Sequence, residues 1–224
     1  MKHVSIVYFS DVLCFWAYLA QLRIDEIRIN HGDQVEFQPR FCSVFGDTAR
    51  KIPAAWDAKG GYAGFNAHLL EAAKGFPEIT VNPAIWMTVR PASSMAPQLV
   101  LKAIQLATLD GDIAVGVFET AMFDVRRAFF RDGRDISDQA VLDQIIADAG
   151  ADLAITARVM ASGRAHAALS SDYKDAETMG VQGSPTFILN EGRQKLFGNV
   201  GYRILDANIR ELLRAPGTGQ ASWC

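Results

Sequence analysis

The stretch "FSDVLCFWAYLA", residues 9 to 20, decides how the chain is read. It stands directly behind the first apolar run, "HVSIVYF" (3 to 9), where β-branched and aromatic residues follow one another with almost no alternation. Such a run is the pattern of a strand buried on both faces. A helix is expected from Phe15 or Trp16 to about Asn30, with Gly32 as its stop. Cys14 therefore sits where strand hands over to helix. Three residues on, where a two-cysteine redox motif would place its second thiol, stands Ala17. The apolar residues of the helix, Tyr18, Leu19, Leu22, Ile24, Ile27 and Ile29, do not form one stripe, which predicts cover on more than one side.

Outward from this stretch, "QVEFQPRF" (34 to 41) alternates strictly, as a half-exposed strand does, and Pro39 assigns it to a sheet edge because proline cannot donate to a ladder. Strand, helix and strand in this space make one βαβ unit with a parallel pair. Residues 43 to 60 read as irregular. A long helical tract follows. Ser94 caps and Pro97 opens one helix; Phe118, Met122, Val125 and Phe129 mark a second. Ser137 starts a third, and residues 151 to 180 hold two more, hinged near Gly163. Strand character returns at "PTFILN" (185 to 190) and "QKLFGNV" (194 to 200), and a last helix spans about 202 to 214. The two strand-bearing halves must share one sheet, since neither has enough strands alone.

Composition sets outer bounds. The chain has 224 residues, half of them apolar and 21% charged, an ordinary globular balance. A net charge of −3 argues against nucleic acid or an anionic membrane as main partner. No run approaches the ~18 apolar residues of a membrane span. Cys14, Cys42 and Cys224 are odd in number and widely spaced, which fits a reducing compartment rather than a disulfide framework. The start "MKHVSIVYFSD" is too short and too soon interrupted for a signal peptide, so a cytoplasmic protein is expected. His3, His31, His68 and His166 are scattered, and no metal site is expected. Arg126, Arg127 and Arg131 read as a solvated helix face, and the phenylalanines around them as core.

Three segments, "FSDVLCFWAYLA", "FFRDGRDISDQAVL" and "GVQGSPTFILNEGRQKLFG", in this order resemble the DsbA-like branch of the thioredoxin superfamily. The resemblance is nearest to FrnE-type oxidoreductases, 2-hydroxychromene-2-carboxylate isomerases and kappa-class glutathione transferases, and it covers His3 to about Leu213. It implies an α/β chain: a thioredoxin-like fold interrupted by an all-helical insertion domain. The corresponding parts are residues 1–55 and 180–214, a discontinuous thioredoxin-like domain; 56–179, the insertion; and 215–224, a tail. It also implies that Cys14, at a helix N-terminus, is a thiol whose pKa is depressed by the free N–H groups and the helix dipole. Pro185 in "GSPTF" corresponds to the family's cis proline, which turns the backbone of Ser184 toward an extended thiol peptide such as glutathione.

The departures narrow the function. Ala17 removes the second cysteine, so no oxidising disulfide can be stored inside the motif. The isomerase and kappa relatives carry serine where this chain has Cys14. Their Ser-Asp-Arg-like turn, which anchors the γ-glutamyl end of glutathione, is here "GNVGYR", with Asn199, Val200 and Gly201 in those places. The site expected from the resemblance is Cys14 as catalytic thiol, with Phe15, Trp16, Ser184, Pro185 and Asn199 binding substrate or a thiol cofactor. Trp16 either lines an apolar substrate cleft or wedges the two domains. Cys42 reads as an inert thiol at a strand end. The leading expectation is an oxidoreductase whose Cys14 forms a mixed disulfide that an external thiol resolves. The alternatives are a glutathione-dependent transferase or isomerase and a non-catalytic binding protein. No tightly bound cofactor is expected, only glutathione or another low-molecular-weight thiol. The partner is a small-molecule thiol or disulfide, and the composition allows a homodimer.

Overall fold

The computed structural model describes residues 3 to 214. The tail expected at 215–224, with Cys224, lies outside the described residues. The chain forms a mixed α/β fold in the order β1 (Val4–Ser10), α1 (Phe15–His31), β2 (Val35–Phe41), α2 (Thr48–Trp56), α3 (Gly61–Ala73), α4 (Met95–Leu109), α5 (Val117–Phe130), α6 (Gln139–Asp148), α7 (Leu153–Ala161), α8 (Arg164–Thr178), β3 (Thr186–Leu189), β4 (Gln194–Phe197) and α9 (Tyr202–Arg214). It divides into two compact units. One holds the residues up to Val44 and from Asp172 onward; the other is Phe45–Ser171. The sequence put the cuts at 55/56 and 179/180. The first unit ends earlier because α2 goes with α3. It resumes earlier because the last turns of α8 join the sheet: Asp172 accepts the Phe41 N–H at 3.0 Å, and Asp175 pairs with Arg40.

In the first unit the strands lie in the order β2-β1-β3-β4. β1 runs parallel to β2, with Val4 opposite Val35 and Ser10 opposite Phe41, and antiparallel to β3, with Ile6 opposite Leu189. The two halves of the sequence thus meet along β1, and Pro39 stands on an edge strand as its missing N–H requires. One face of the sheet packs Val4, Ile6, Tyr8, Phe187 and Leu189 against Ile24 and Ile27 of α1 and Leu205, Ile209 and Leu212 of α9. The other buries Val7, Phe9 and Ile188 with Cys42 and Ala176. Both faces of β1 are covered, which explains its unbroken apolar run.

Helix α1 changes character along its length. From Phe15 to Gln21 all residues but Trp16 are buried, whereas Leu22 and Ile29 are exposed and only Ile24, Ile27 and His31 keep a single inner face. Cover on several sides is therefore a property of the first turns alone. The helix stops at Gly32, whose φ of 49° lies in the left-handed region that glycine enters at little cost.

The second unit is helical and departs from the sequence reading at three points. Residues 43 to 60 hold α2, capped by Asp47 through the Arg50 N–H at 3.0 Å; Pro53 inside it and a buried face of only Thr48 and Ile52 concealed it. Helix α6 is capped by Asp138, not Ser137, which instead closes a turn on the Asp135 carboxylate. Arg126 is fully buried rather than solvated. It stands four residues after Met122 and four before Phe130, inside a buried face of α5 wide enough to include it. The core of this unit centres on Trp86, whose ring lies 5.8 Å from Phe45, 5.7 Å from Phe65 and 5.0 Å from Phe129.

Candidate functional site

The site is built at the end of β1. Asp11 follows the strand directly, and its Oδ1 accepts the Leu13 N–H at 2.9 Å, the short Asx turn that aspartate favours. The Cys14 N–H then donates to the Asp11 carbonyl at 3.1 Å, and the Cys14 carbonyl accepts from Ala17 and Tyr18, which starts α1. Cys14 is thus the N-cap, with φ −85° and ψ 117°, but its side chain caps nothing. Its thiol instead donates to the Ser184 carbonyl, with Sγ 3.1 Å from the oxygen. The Ser184–Pro185 bond is cis. The Ser184 hydroxyl accepts the Asp11 N–H at 2.9 Å, and the Pro185 carbonyl accepts the Gly198 N–H at 2.8 Å. Three distant segments, at 11–17, 184–185 and 198, are joined in this way within the first unit.

Of the residues singled out from sequence, Cys14 and Ser184 are in contact and Pro185 adjoins them. Asn199 is exposed, next to the Gly198 tie. Phe15 is buried, so it lines no open surface; its ring stands 5.4 Å from that of the half-buried Trp16. Ala17 is fully covered, and its carbonyl accepts the Tyr8 hydroxyl at 3.4 Å. Cys42 donates its N–H to the Ser10 carbonyl at 3.2 Å and turns its side chain into the apolar cluster with Val7 and Phe9. Cys14 and Cys42 are both free thiols.

The expected depressed pKa of Cys14 is not what this environment produces. Cys14 is 5% exposed. Burial pushes its thiol above the ordinary 9.0, and the nearby Asp11 charge adds to the rise. Hydrogen bonding from Ser184 and from the Ala17 and Trp16 amides pulls the other way but does not prevail. The helix N-terminus favours an anion, yet desolvation of the thiolate outweighs it. The donated bond to the Ser184 carbonyl exists only while sulfur keeps its proton, so it too belongs to the neutral thiol.

Three polar residues were missed: Asp11, whose charge acts on Cys14, and Asp172 and Tyr173, which lie toward Phe41, Asp11 and Cys42. Asp11 carried a signal, an aspartate at the end of an apolar run. Asp172 and Tyr173 lie in a helix some 160 residues away and carried none. Tyr173 is held protonated well above its usual range by burial, then by the charges of Asp11, Cys42 and Asp172.

Against this geometry stand the comparisons. A family model described as a DSBA-like thioredoxin domain matches residues 5–210. No curated protein matches the sequence at a significant level. A solved structure described as a probable DsbA oxidoreductase from Streptomyces coelicolor is similar with a TM-score of 0.74 at 18% identity, covering 99% of this chain and 93% of its own. The cytosolic disulfide reductase DsbM from Pseudomonas aeruginosa is similar with a TM-score of 0.67 at 19% identity, over 92% of this chain and 99% of its own, and has also been solved with GSH. A 2-hydroxychromene-2-carboxylate isomerase gives a TM-score of 0.60 at 16% identity, over 95% and 97%. At these identities the likeness is one of fold. No helix among the described residues is long and apolar enough to cross a membrane.

Proposed function

The chain belongs to the family of DSBA-like thioredoxin domains, and on that premise we propose that it is a thiol–disulfide oxidoreductase working through one active-site thiol, Cys14. The observation that carries this reading is the pairing of Cys14, at the N-cap of α1, with the carbonyl of Ser184 ahead of Pro185. In the proposed cycle Cys14 loses its proton and its thiolate attacks one sulfur of a disulfide RS–SR′. That S–S bond breaks, R′S⁻ leaves and takes up a proton, and Cys14 is left in a mixed disulfide with R. With Ala17 in the motif, an external thiol R″SH supplies the second step. Its thiolate attacks the R sulfur, forms RS–SR″ and returns the Cys14 thiolate. Glutathione, or another low-molecular-weight thiol, is the co-substrate; Ser184, Pro185, Trp16 and Asn199 form its surroundings. The cysteine usage and the fold likeness to a cytosolic reductase support a cytoplasmic setting.

The decisive measurement is intact mass after exposure to oxidised glutathione, in protein carrying Cys42→Ala and Cys224→Ser. A gain of one glutathionyl group in that protein, absent when Cys14→Ser is added, supports the cycle; no gain removes it.

A second reading is favoured by one observation, the hydrogen bond from the Cys14 thiol to the Ser184 carbonyl. A thiol that donates a hydrogen bond can orient the sulfur of bound glutathione without reacting, as a transferase or isomerase of the kappa type requires. Calorimetric titration with reduced glutathione tests it, since binding that survives Cys14→Ser but yields no mass gain with oxidised glutathione belongs to this reading alone.

A further inference from the structure

Asp11 is fully buried, and its polar groups are spent on the segments around Cys14. Oδ1 holds the Leu13 N–H at 2.9 Å, within the turn that ends at Cys14. Oδ2 holds the Val44 N–H at 2.9 Å, in the segment that leaves β2. Its own N–H holds the Ser184 hydroxyl at 2.9 Å, and its carbonyl accepts from the Cys14 N–H at 3.1 Å. Hydrogen bonds from backbone N–H groups favour the charged form of a carboxylate, and a charge in a water-poor site acts on its neighbours with little screening.

We propose that Asp11 is the positioning residue of the Cys14 thiol: it ties the 11–14 turn to the strand-end segment at Val44 and to Ser184, and it sets its negative charge where a Cys14 thiolate would form. The consequence is a sulfur held as a thiol at rest, released for chemistry only when a partner displaces the Ser184 carbonyl or offsets the charge. The titratable groups that feel this charge are Cys14 on the turn and, on α8, Tyr173, which also feels Cys42 at the end of β2 and Asp172 beside it. The inference rests on Cys14 being the working thiol of the proposed function.

The experiment measures the rate of Cys14 alkylation by iodoacetamide against pH, in protein carrying Cys42→Ala and Cys224→Ser, with and without Asp11→Asn. The amide is nearly isosteric and removes the charge. The expected result is a midpoint displaced to lower pH and faster alkylation near neutrality, with the circular dichroism spectrum retained. A folded variant with an unchanged or higher midpoint overturns the proposal, because a purely structural role would not make the thiol more acidic. If Asp11→Asn does not fold, the carboxyl carbon of Asp11 is followed by NMR in the parent protein. Its resonance must move with Cys14 ionisation, and the movement must vanish on Cys14→Ser; a resonance blind to Cys14 also overturns the proposal. Alkylation reports thiol acidity whether or not disulfide exchange occurs, so this outcome is separable from failure of the glutathione mass test.

Discussion

On the proposed cycle, replacing Ala17 with cysteine should let the mixed disulfide at Cys14 be resolved from within the chain instead of by an external thiol. Ala17 lies on the first turn of α1, its N–H 3.1 Å from the Cys14 carbonyl, so the two side chains stand three residues apart at the helix start. A disulfide needs Cβ atoms about 3.8 Å apart, a spacing that the extended backbone at Cys14 brings within reach of small adjustments. Even a short flexible tether gives an effective concentration of about 1 mM or more. Against about 0.1 mM external thiol the introduced sulfur should therefore resolve the mixed disulfide at least about tenfold faster. Because Ala17 is fully covered, the added atom costs about 1–3 kcal/mol of stability by overpacking. The assay loads Cys14 with oxidised glutathione, removes the excess, and follows loss of the glutathionyl mass at low external thiol. Persistence of the adduct as long as in the parent, with the introduced sulfur still free when the chain is unfolded and alkylated, would refute the argument that the alanine breaks the cycle.

Three further outcomes follow from the same structure. Since the folded pKa of Cys14 is raised above 9.0, the thiol's contribution to stability is complete below the unfolded value and is lost as pH climbs through the folded one. Denaturant unfolding at about pH 7 and about pH 10 should accordingly show an alkaline loss that is smaller in Cys14→Ala. Phe187→Ala should cost about 3–5 kcal/mol in urea unfolding, because the ring is buried in the strand that joins the two halves and lies 4.9 Å from the Tyr8 ring; a loss below about 1 kcal/mol would contradict that packing. Gly64→Ala should destabilise the helical unit by about 1–3 kcal/mol or more, since the new Cβ would stand 1.9 Å from the Lys59 carbonyl oxygen, a backbone atom that cannot step aside; an unchanged Tm would show that the turn before α3 is looser than drawn.

What the sequence disclosed and what it hid divide along one physical line. β1 was legible as an unbroken apolar run and α1 as the helical stretch between it and the Gly32 stop, and so was the split sheet, because neither half of the sequence has enough strands alone. Position was legible at the site as well: a strand followed at once by a helix places Cys14 at the helix start. Its chemical state was not. That state depends on what lies over the sulfur: burial in the closed core and Ser184, 170 residues away, together with the charge of Asp11. A helix N-terminus contributes about 0.3–1 kcal/mol toward an anion when exposed, and "FSDVLCFWAYLA" advertises that term openly. Desolvation opposes it, a property of the closed core written in no local pattern, and so does the charge of Asp11, which stands in the same stretch but whose burial the pattern does not show. Ala17 fits the same account. A resolving thiol is useful only beside a sulfur that ionises readily. On the proposed reading, keeping Cys14 neutral under the charge of Asp11 and the carbonyl of Ser184 moves control of its chemistry from the motif to whatever enters beside it.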